Sequence, residues 1–456
     1  MSFAPHEVYS RCLPGAYGYP LWTPELKIQL RESYQLEGLK IGDVGIVSVN
    51  DGSFDVLFNI TLPRNEQPYP KLVREDFAPV ILDPEADIAT QLHAVPAHDV
   101  ISSASIELVS REFHSCEQKP PRVDYDFSLP MEDGAVLILP EGAQSCDLAN
   151  EKRFLDEAIQ HAVDWYECAT EEAGRFVHND TLYLITGFHK TRSWSLGAAG
   201  RSTSSRQNRR SVKFQVGQID RNGDTAAAYL WSATHGFSGR VGPMSMIPNH
   251  TLNGRACKGV NQTVFIRGFR ITVNKILFLK IVSVKTRRGN FFRFRSRLAN
   301  LLSHRRSEST QSSGTEGVTD NEVDQDVLVN HGRLHADTHI TIDRVPDVCQ
   351  VSHPGDSINQ YLLKKEPRAV AALTHDRLWI EMLQTGLLEL ADFSRQERLE
   401  KVLSTNYRIV VENGKCSRFV TVFFVWPLNI RRCCIPSKRV SFSLALNVRL
   451  CYVLSP

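Results

Sequence analysis

The sequence predicts a mixed α+β fold: a β-rich N-terminal domain packed on one long amphipathic helix, with a small helical C-terminal unit. Three observations carry that expectation. First, Phe154, Leu155, Ala158, Ile159, Ala162, Val163, Trp165, Tyr166 and Ala169 recur at three- and four-residue spacing, the period of a helix with one apolar face. Second, short apolar runs on either side of that stretch end at Gly, Pro, Asn or Asp, which is how strands are punctuated. Third, residues 285–306 are rich in arginine, and residues 307–326 are Ser, Thr, Gly and acid with almost no apolar content. Such a composition cannot bury enough surface to offset the entropy of ordering it.

The elements follow in order. Thr23-Pro24-Glu25 reads as a helix start, with Thr as cap and Pro at the first helical position, running to Glu37 and stopped by Gly38. Residues 41–47 and 54–60 flank Asn50-Asp51-Gly52 and read as a β-hairpin. Its second run is apolar on both faces at Val56-Leu57-Phe58, the mark of a strand covered on both sides. Residues 63–96, rich in Pro and acid, read as a long loop. Strands are expected at 101–113 and 135–139. The long helix is capped by Asn150 and stopped at Gly174. Further strands fall at 181–186, 211–219, 225–233 and 262–271. Past the insert, a strand at 338–342 precedes helices at 355–365, 376–390 and 394–403. The expected organisation is thus a β-rich α+β domain over 1–270, a basic then acidic disordered insert over 271–326, a small mostly helical unit over 327–410 and an irregular tail over 411–456.

The 456 residues suit about two to four domains, and 42% apolar with 23% charged residues is ordinary globular usage. A net charge of +2 means that attraction to nucleic acid or membrane must come from a local patch. The first residues lack the basic and apolar regions of a secretory signal. The most apolar long run, 264–284, carries Arg267, Arg270, Lys275 and Lys280, which are costly at bilayer depth. The ten scattered cysteines form no C-x-x-C pair, which fits reduced thiols in a cytoplasmic protein.

Three blocks resemble a family of proteins from mushroom-forming (basidiomycete) fungi that has no assigned activity. One is Gly-Tyr-Pro-Leu-Trp from Gly18, with the 41–60 hairpin. The second joins Gly134–Pro140, Ala162-Val163-Asp164-Trp165-Tyr166 and Leu182–Thr191. The third is His353–Asn359 with Leu373-Thr374-His375-Asp376. The resemblance implies a fungal, intracellular protein and brings no catalytic residue. After Asn413 the pattern is lost: Gly-Lys-Cys can encode an intron donor read in frame. Residues 414–456, and Ile271–Arg288, are therefore expected to include translated intron.

Few residues point to chemistry. His331, His335 and His339 sit four apart with Asp337 and Asp343 nearby, but Gly332 and the β-branched 338–342 run disfavour the helix that would gather them round a metal. No metal and no cofactor is expected. Thr374-His375-Asp376 before Leu378-Trp379 reads as a helix cap before it reads as an acid/base pair, and His353 before Pro354 shares the ambiguity. The candidate polar cluster is Asp180, His189, Lys190 and Arg192, with His189 on a loop after the 181–186 strand. The glycines at 187, 197 and 200 match no phosphate loop. Arg201, Arg206, Arg209 and Arg210 make a basic loop. The basic patch is Arg287, Arg288, Arg293, Arg295, Arg297, Arg305 and Arg306, interleaved with Phe291, Phe292 and Phe294, which suits anionic lipid better than nucleic acid.

The leading expectation is a non-enzymatic intracellular interaction or regulatory protein with an unidentified protein partner. A peripheral membrane-binding or membrane-perturbing protein using 285–306 is the first alternative. A hydrolase-type enzyme using His189 or His375 is the second.

Overall fold

A computed structural model describes residues 4–116, 119–129, 132–175, 177–201, 210–221, 224–233, 236–242, 251–252, 255–256, 259–283, 353–413 and 420–427. The described residues form a mixed α+β fold. Helices are α1 (Pro5–Cys12), α2 (Glu32–Glu37), α3 (Pro84–Asp87), α4 (Lys152–Glu167), α5 (Lys275–Ser283), α6 (Pro354–Lys365), α7 (Asp376–Gln384) and α8 (Gln396–Asn406). The first strands are β1 (Tyr19–Pro20), β2 (Asp43–Val47), β3 (Phe54–Asn59), β4 (Ile88–Val95), β5 (Asp99–Ser102), β6 (Glu107–Cys116) and β7 (Lys119–Leu129). Next come β8 (Gly134–Leu139), β9 (Ala143–Leu148), β10 (Leu182–Thr191), β11 (Trp194–Ala199), β12 (Arg210–Arg221), β13 (Asp224–Ala233) and β14 (Phe237–Gly242). The last are β15 (Thr251–Leu252), β16 (Arg255–Ala256), β17 (Gln262–Val273), β18 (Ala371–His375), β19 (Tyr407–Asn413) and β20 (Val420–Pro427).

The main sheet has ten strands and centres on β10. One edge of β10 pairs along its whole length with β17. The other edge is shared, with Leu182–Leu184 on β2 and Gly187–Lys190 on β9, so the sheet forks there. Glycine at 268 is required by the close approach of two backbones: a Cβ would collide with the Leu184 carbonyl oxygen. Phe154, Ala158, Ala162, Trp165, Tyr166 and Ala169 of α4 are buried in one core with Leu182, Leu184, Ile271 and Val273. The Asn150 carbonyl side chain accepts from the Lys152 amide at the helix start. After a π turn over Cys168–Glu172, Gly174 takes a positive φ of 62° and ends the helix.

Two four-stranded sheets complete the N-terminal part, ordered β14-β11-β8-β5 and β13-β12-β7-β6. They share a second core in which Val136, Ile138 and Ala199 meet Tyr125, Phe127, Val212 and Phe214.

Several expectations are corrected. The helix over 23–37 shrinks to α2, because the Trp22 and Thr23 amides donate to the Gly52 carbonyl and Pro24 accepts from the Thr263 amide. Tertiary pairing there overrides the local cap signal. The long loop over 63–96 contains α3 and β4, and β4 pairs with β9. The single strand at 101–113 is two, β5 and β6. The boundary at 270 falls inside β17, where Ile271 and Val273 are fully buried. The unit after the insert holds β18 and β19 beside its three helices, and it joins the main sheet. Its β18 pairs with β17, and β20, from the supposed irregular tail, pairs parallel with β18 and antiparallel with β19. The expected insert at 284–326, the strand at 338–342, the histidines at 331, 335 and 339, Arg206 and Arg209, and Arg287, Arg288, Arg293, Arg295, Arg297, Arg305 and Arg306 all lie outside the described residues. Among the described residues no helix is long and apolar enough to cross a membrane.

Candidate functional site

The expected polar cluster does not converge. β10 continues beyond 186 to Thr191, so His189 and Lys190 lie in a buried strand and not on a loop. Asp180 stands before its start, roughly 30 Å from His189 at the usual rise per residue. Its charge acts on Arg270 and Asp356 instead. His189 Nδ1 lies 2.7 Å from Arg267 Nη1, and Arg267 also pairs with Asp147 at 2.6 Å. Burial, with the guanidinium alongside, pushes the imidazole down to about 3, so it stays a neutral acceptor. Lys190 donates to the Glu37 carbonyl at 2.6 Å and lies 4.0 Å from the Phe188 ring centre. Burial lowers its ammonium to about 8 against the pull of Asp43. Arg192 is exposed and reaches Glu141 at 3.8 Å. A shallow cleft of about 250 Å³ passes Lys190, Arg192 and Glu141, yet the Lys190 ammonium is already bound to backbone. Among the described residues, no three His, Cys, Asp or Glu gather as a metal site.

A second polar group, outside the expected cluster, lies where α6, β18 and α7 meet the main sheet. Arg270 grips Asp356 with two nitrogens, at 2.7 and 3.2 Å. Asp376 accepts from the Tyr183 hydroxyl, from the Gly268 amide at 3.1 Å and from Trp379 Nε1 at 2.8 Å. Asn359 donates to the Arg270 carbonyl and to Thr272 and accepts from Thr374. His353 and His375 cap α6 and α7 through Nδ1; the cap of α7 is therefore His375 and neither Thr374 nor Asp376, which the sequence pattern favoured. This group is sealed among buried side chains and fastens two parts of the chain; it offers no access to a substrate.

The region left unexplained by packing is the sheet β13-β12-β7-β6. It consists of two hairpins, β6–β7 and β12–β13, joined by the β7–β12 pair. Its strands are 10, 11, 12 and 10 residues long. On β7, Val123, Tyr125, Phe127 and Leu129 are buried while Asp124, Asp126 and Ser128 alternate with them. Directly paired residues share a face. Register therefore puts Leu108, Arg111, Phe113, Val212, Phe214 and Trp231 on the side of Val123 and Tyr125, and the exposed Leu230, paired with Gln215, on the other. The same rule puts Ser110, Glu112, Ser211, Lys213 and Gln215 on the polar side. There Lys213 meets Asp126 at 3.3 Å, and His114 lies 3.6 Å from both Glu112 and Asp124.

Alternation alone is what any half-covered sheet shows. The length is what differs. The covering strands β5, β8, β11 and β14 have 4, 6, 6 and 6 residues. At about 3.3 Å per residue the hairpins run roughly 33–40 Å and the cover roughly 13–20 Å. The hairpins thus outrun their cover in length, and Phe113 is 61% exposed. Sequence reasoning read strands at 101–113, 211–219 and 225–233 but no strand over 119–129, so the pairing of two hairpins escaped it. The Val123/Tyr125/Phe127/Leu129 alternation was the signal available.

A scan against models of known protein families matches none, and a search of curated proteins likewise finds no match.

Proposed function

We propose that this protein is non-enzymatic and acts on lipid bilayers, with the paired hairpins entering the membrane as amphipathic strands. The observation that carries this reading is that the hairpin strands are longer than the strands covering them, with Phe113 exposed on the side of the buried Val123. A membrane-crossing β-strand needs about 9–11 residues and alternates apolar with polar side chains; these strands have the length, and β7 alternates over Val123–Leu129. Turned toward lipid, the Phe113–Val123–Phe214 face would give up the Tyr125 hydroxyl's bond to the His98 carbonyl and the Trp231 Nε1 bond to the Arg240 carbonyl, and would carry Arg111, while the Asp124, Asp126 and Lys213 face would stay in water. The basic-aromatic segment 285–306 supplies attraction to anionic headgroups in this account. The partner is then an anionic membrane surface reached from the cytoplasm, and neither nucleic acid nor a cofactor is needed. The hydrolase reading loses support because His189 is engaged by Arg267 and His375 by the α7 amide.

The test is dye release from vesicles of phosphatidylcholine and phosphatidylserine by the full chain. The wild type should release dye. Phe113→Arg should slow release by about thirtyfold or more, since arginine at mid-bilayer depth costs about 2–4 kcal/mol. Ser211→Lys on the polar face should release like the wild type. If the wild type leaves the vesicles intact, or if Phe113→Arg matches it, the reading is wrong and the protein-partner expectation takes its place.

A further inference from the structure

Helices α6 and α7 start in the same unusual way. The side chain at each N-terminal cap is histidine, and in each case Nδ1 accepts the amide two residues on: Gly355 to His353 at 2.9 Å and Arg377 to His375 at 3.1 Å. A ring nitrogen that accepts an N–H carries no proton, so each neutral ring holds its proton on Nε2. That Nε2 faces a carboxylate in both cases: Asp376 Oδ1 at 3.4 Å from His353, and Glu151 Oε1 at 3.2 Å from His375. His375 Nε2 also lies 2.8 Å from the Thr186 hydroxyl. An imidazolium has donors at both nitrogens. Protonation would turn Nδ1 against the amide it caps, so neither helix start can survive it unchanged.

We propose that the two histidine caps make docking of the 353–384 segment on the main sheet sensitive to acid. One proton on either ring removes a helix cap and places a cation where the sheet already holds one. Around His353 stand Arg270 and Asp356 from β17 and α6, Asp376 from α7, and the rings of Tyr19, Tyr183 and Trp379. Around His375 stand Glu151 before α4, Arg377 on α7, Arg267 on β17 and the Phe269 ring. Burial holds both imidazoles well below their ordinary value, helped by Arg270 for His353 and by Arg377 and Arg267 for His375. A group held low binds its proton more readily when undocked. Its contribution to docking is present above about pH 6.5 and is lost as pH falls below that. The carboxyls push the other way. Burial raises Asp356 to about 7 and lifts Asp376 and Glu151, so docking keeps protons there that the open form releases. The histidine contribution is therefore read as a difference between the wild type and variants that keep the caps but cannot titrate.

Asparagine is such a replacement, because its side-chain oxygen accepts the same amide. Hydrogen exchange over 353–384 should be followed in the full chain at about pH 7.5 and about pH 5.5, corrected for the intrinsic pH dependence of exchange. The shift with acid should be about tenfold smaller in His375→Asn than in the wild type, and about a hundredfold smaller in the His353→Asn/His375→Asn pair, one decade per imidazole. His375 lies nearer the surface, so His375→Asn serves alone if the double variant fails to fold. Equal acid shifts in the wild type and His375→Asn would overturn the proposal.

Discussion

The main sheet and the hairpin sheet are built from the same strand chemistry and end in opposite conditions. In the main sheet, β10 has neighbours on both edges and α4 on one face, and all ten of its residues are buried. Even its polar neighbours are spent: Arg270 is 1% exposed and bound to Asp356 and Thr181. In the hairpin sheet one face is solvent and the other is covered over part of its length. The difference separates a sheet covered along its length from one covered along part of it. Polar groups show it most sharply. Those at the centre of the main sheet, Arg270 and Lys190 among them, are buried and paired, so they fasten; Asp124, Asp126 and Lys213 of the hairpin sheet face outward, so they solvate.

Arg270→Ala should show the largest effect, a loss of about 5 kcal/mol, because it strands the buried Asp356 charge. Urea unfolding followed by tryptophan fluorescence would measure it. The double variant Arg270→Met/Asp356→Leu should recover most of that loss, since the penalty comes from an unpaired ion and not from the missing bridge. A double variant no more stable than Arg270→Ala would mean that the neighbouring network, Thr181 and Asn359 included, carries the energy.

A matched pair of phenylalanines sharpens the contrast. Phe154 on α4 is 0% exposed and Phe127 on β7 is 1% exposed. Truncation to alanine should cost about 4 kcal/mol at 154 and about 3 kcal/mol at 127, because a site beside a short cover collapses more readily around the void. The same unfolding curves decide it. If Phe127→Ala is the costlier change, the hairpin sheet is as rigidly held as the main one.

Legibility in the sequence followed the same division. The α4 stripe, the 43–59 hairpin and the Gly174 stop were readable because each is specified by neighbours in the chain. The Thr23 cap misled because its residues were claimed by partners far away, Gly52 and Thr263. The extension of β10 through Lys190 was missed because a charged pair inside a strand reads as a strand end; only burial against Arg267 and the Glu37 carbonyl makes His189 and Lys190 tolerable there. Of the candidate cluster, sequence reasoning placed His189 and Lys190 on a loop past the strand that in fact holds them. Thr374, Asp376 and His353 were readable as cap candidates, but the meeting of Asp356 with Arg270 and of Asp376 with Tyr183 spans 86 and 193 residues of separation. Intron-derived sequence was expected from Ile271, yet Ile271 and Val273 are buried and complete the β17 ladder with β18. The helix that follows is less committed, with Ile276 68% exposed.

The smallest expected effect bears most directly on function. Phe113→Arg sits on an edge strand, where the existing side chain is largely in water, lies against the His98 ring and under Arg111, and is paired with Val123. Loss of that contact, and a second cation beside Arg111, should change stability by no more than about 0.5 kcal/mol, as for other surface positions. The same substitution is expected to suppress vesicle leakage strongly. An exposed apolar side chain that contributes little to folding and much to leakage is one whose partner lies outside the chain. Should Phe113→Arg instead lower the unfolding midpoint as far as Phe127→Ala does, the apolar face is closed over Phe113 in solution. The division between a fastened sheet and a loosely covered one would then fail at this point.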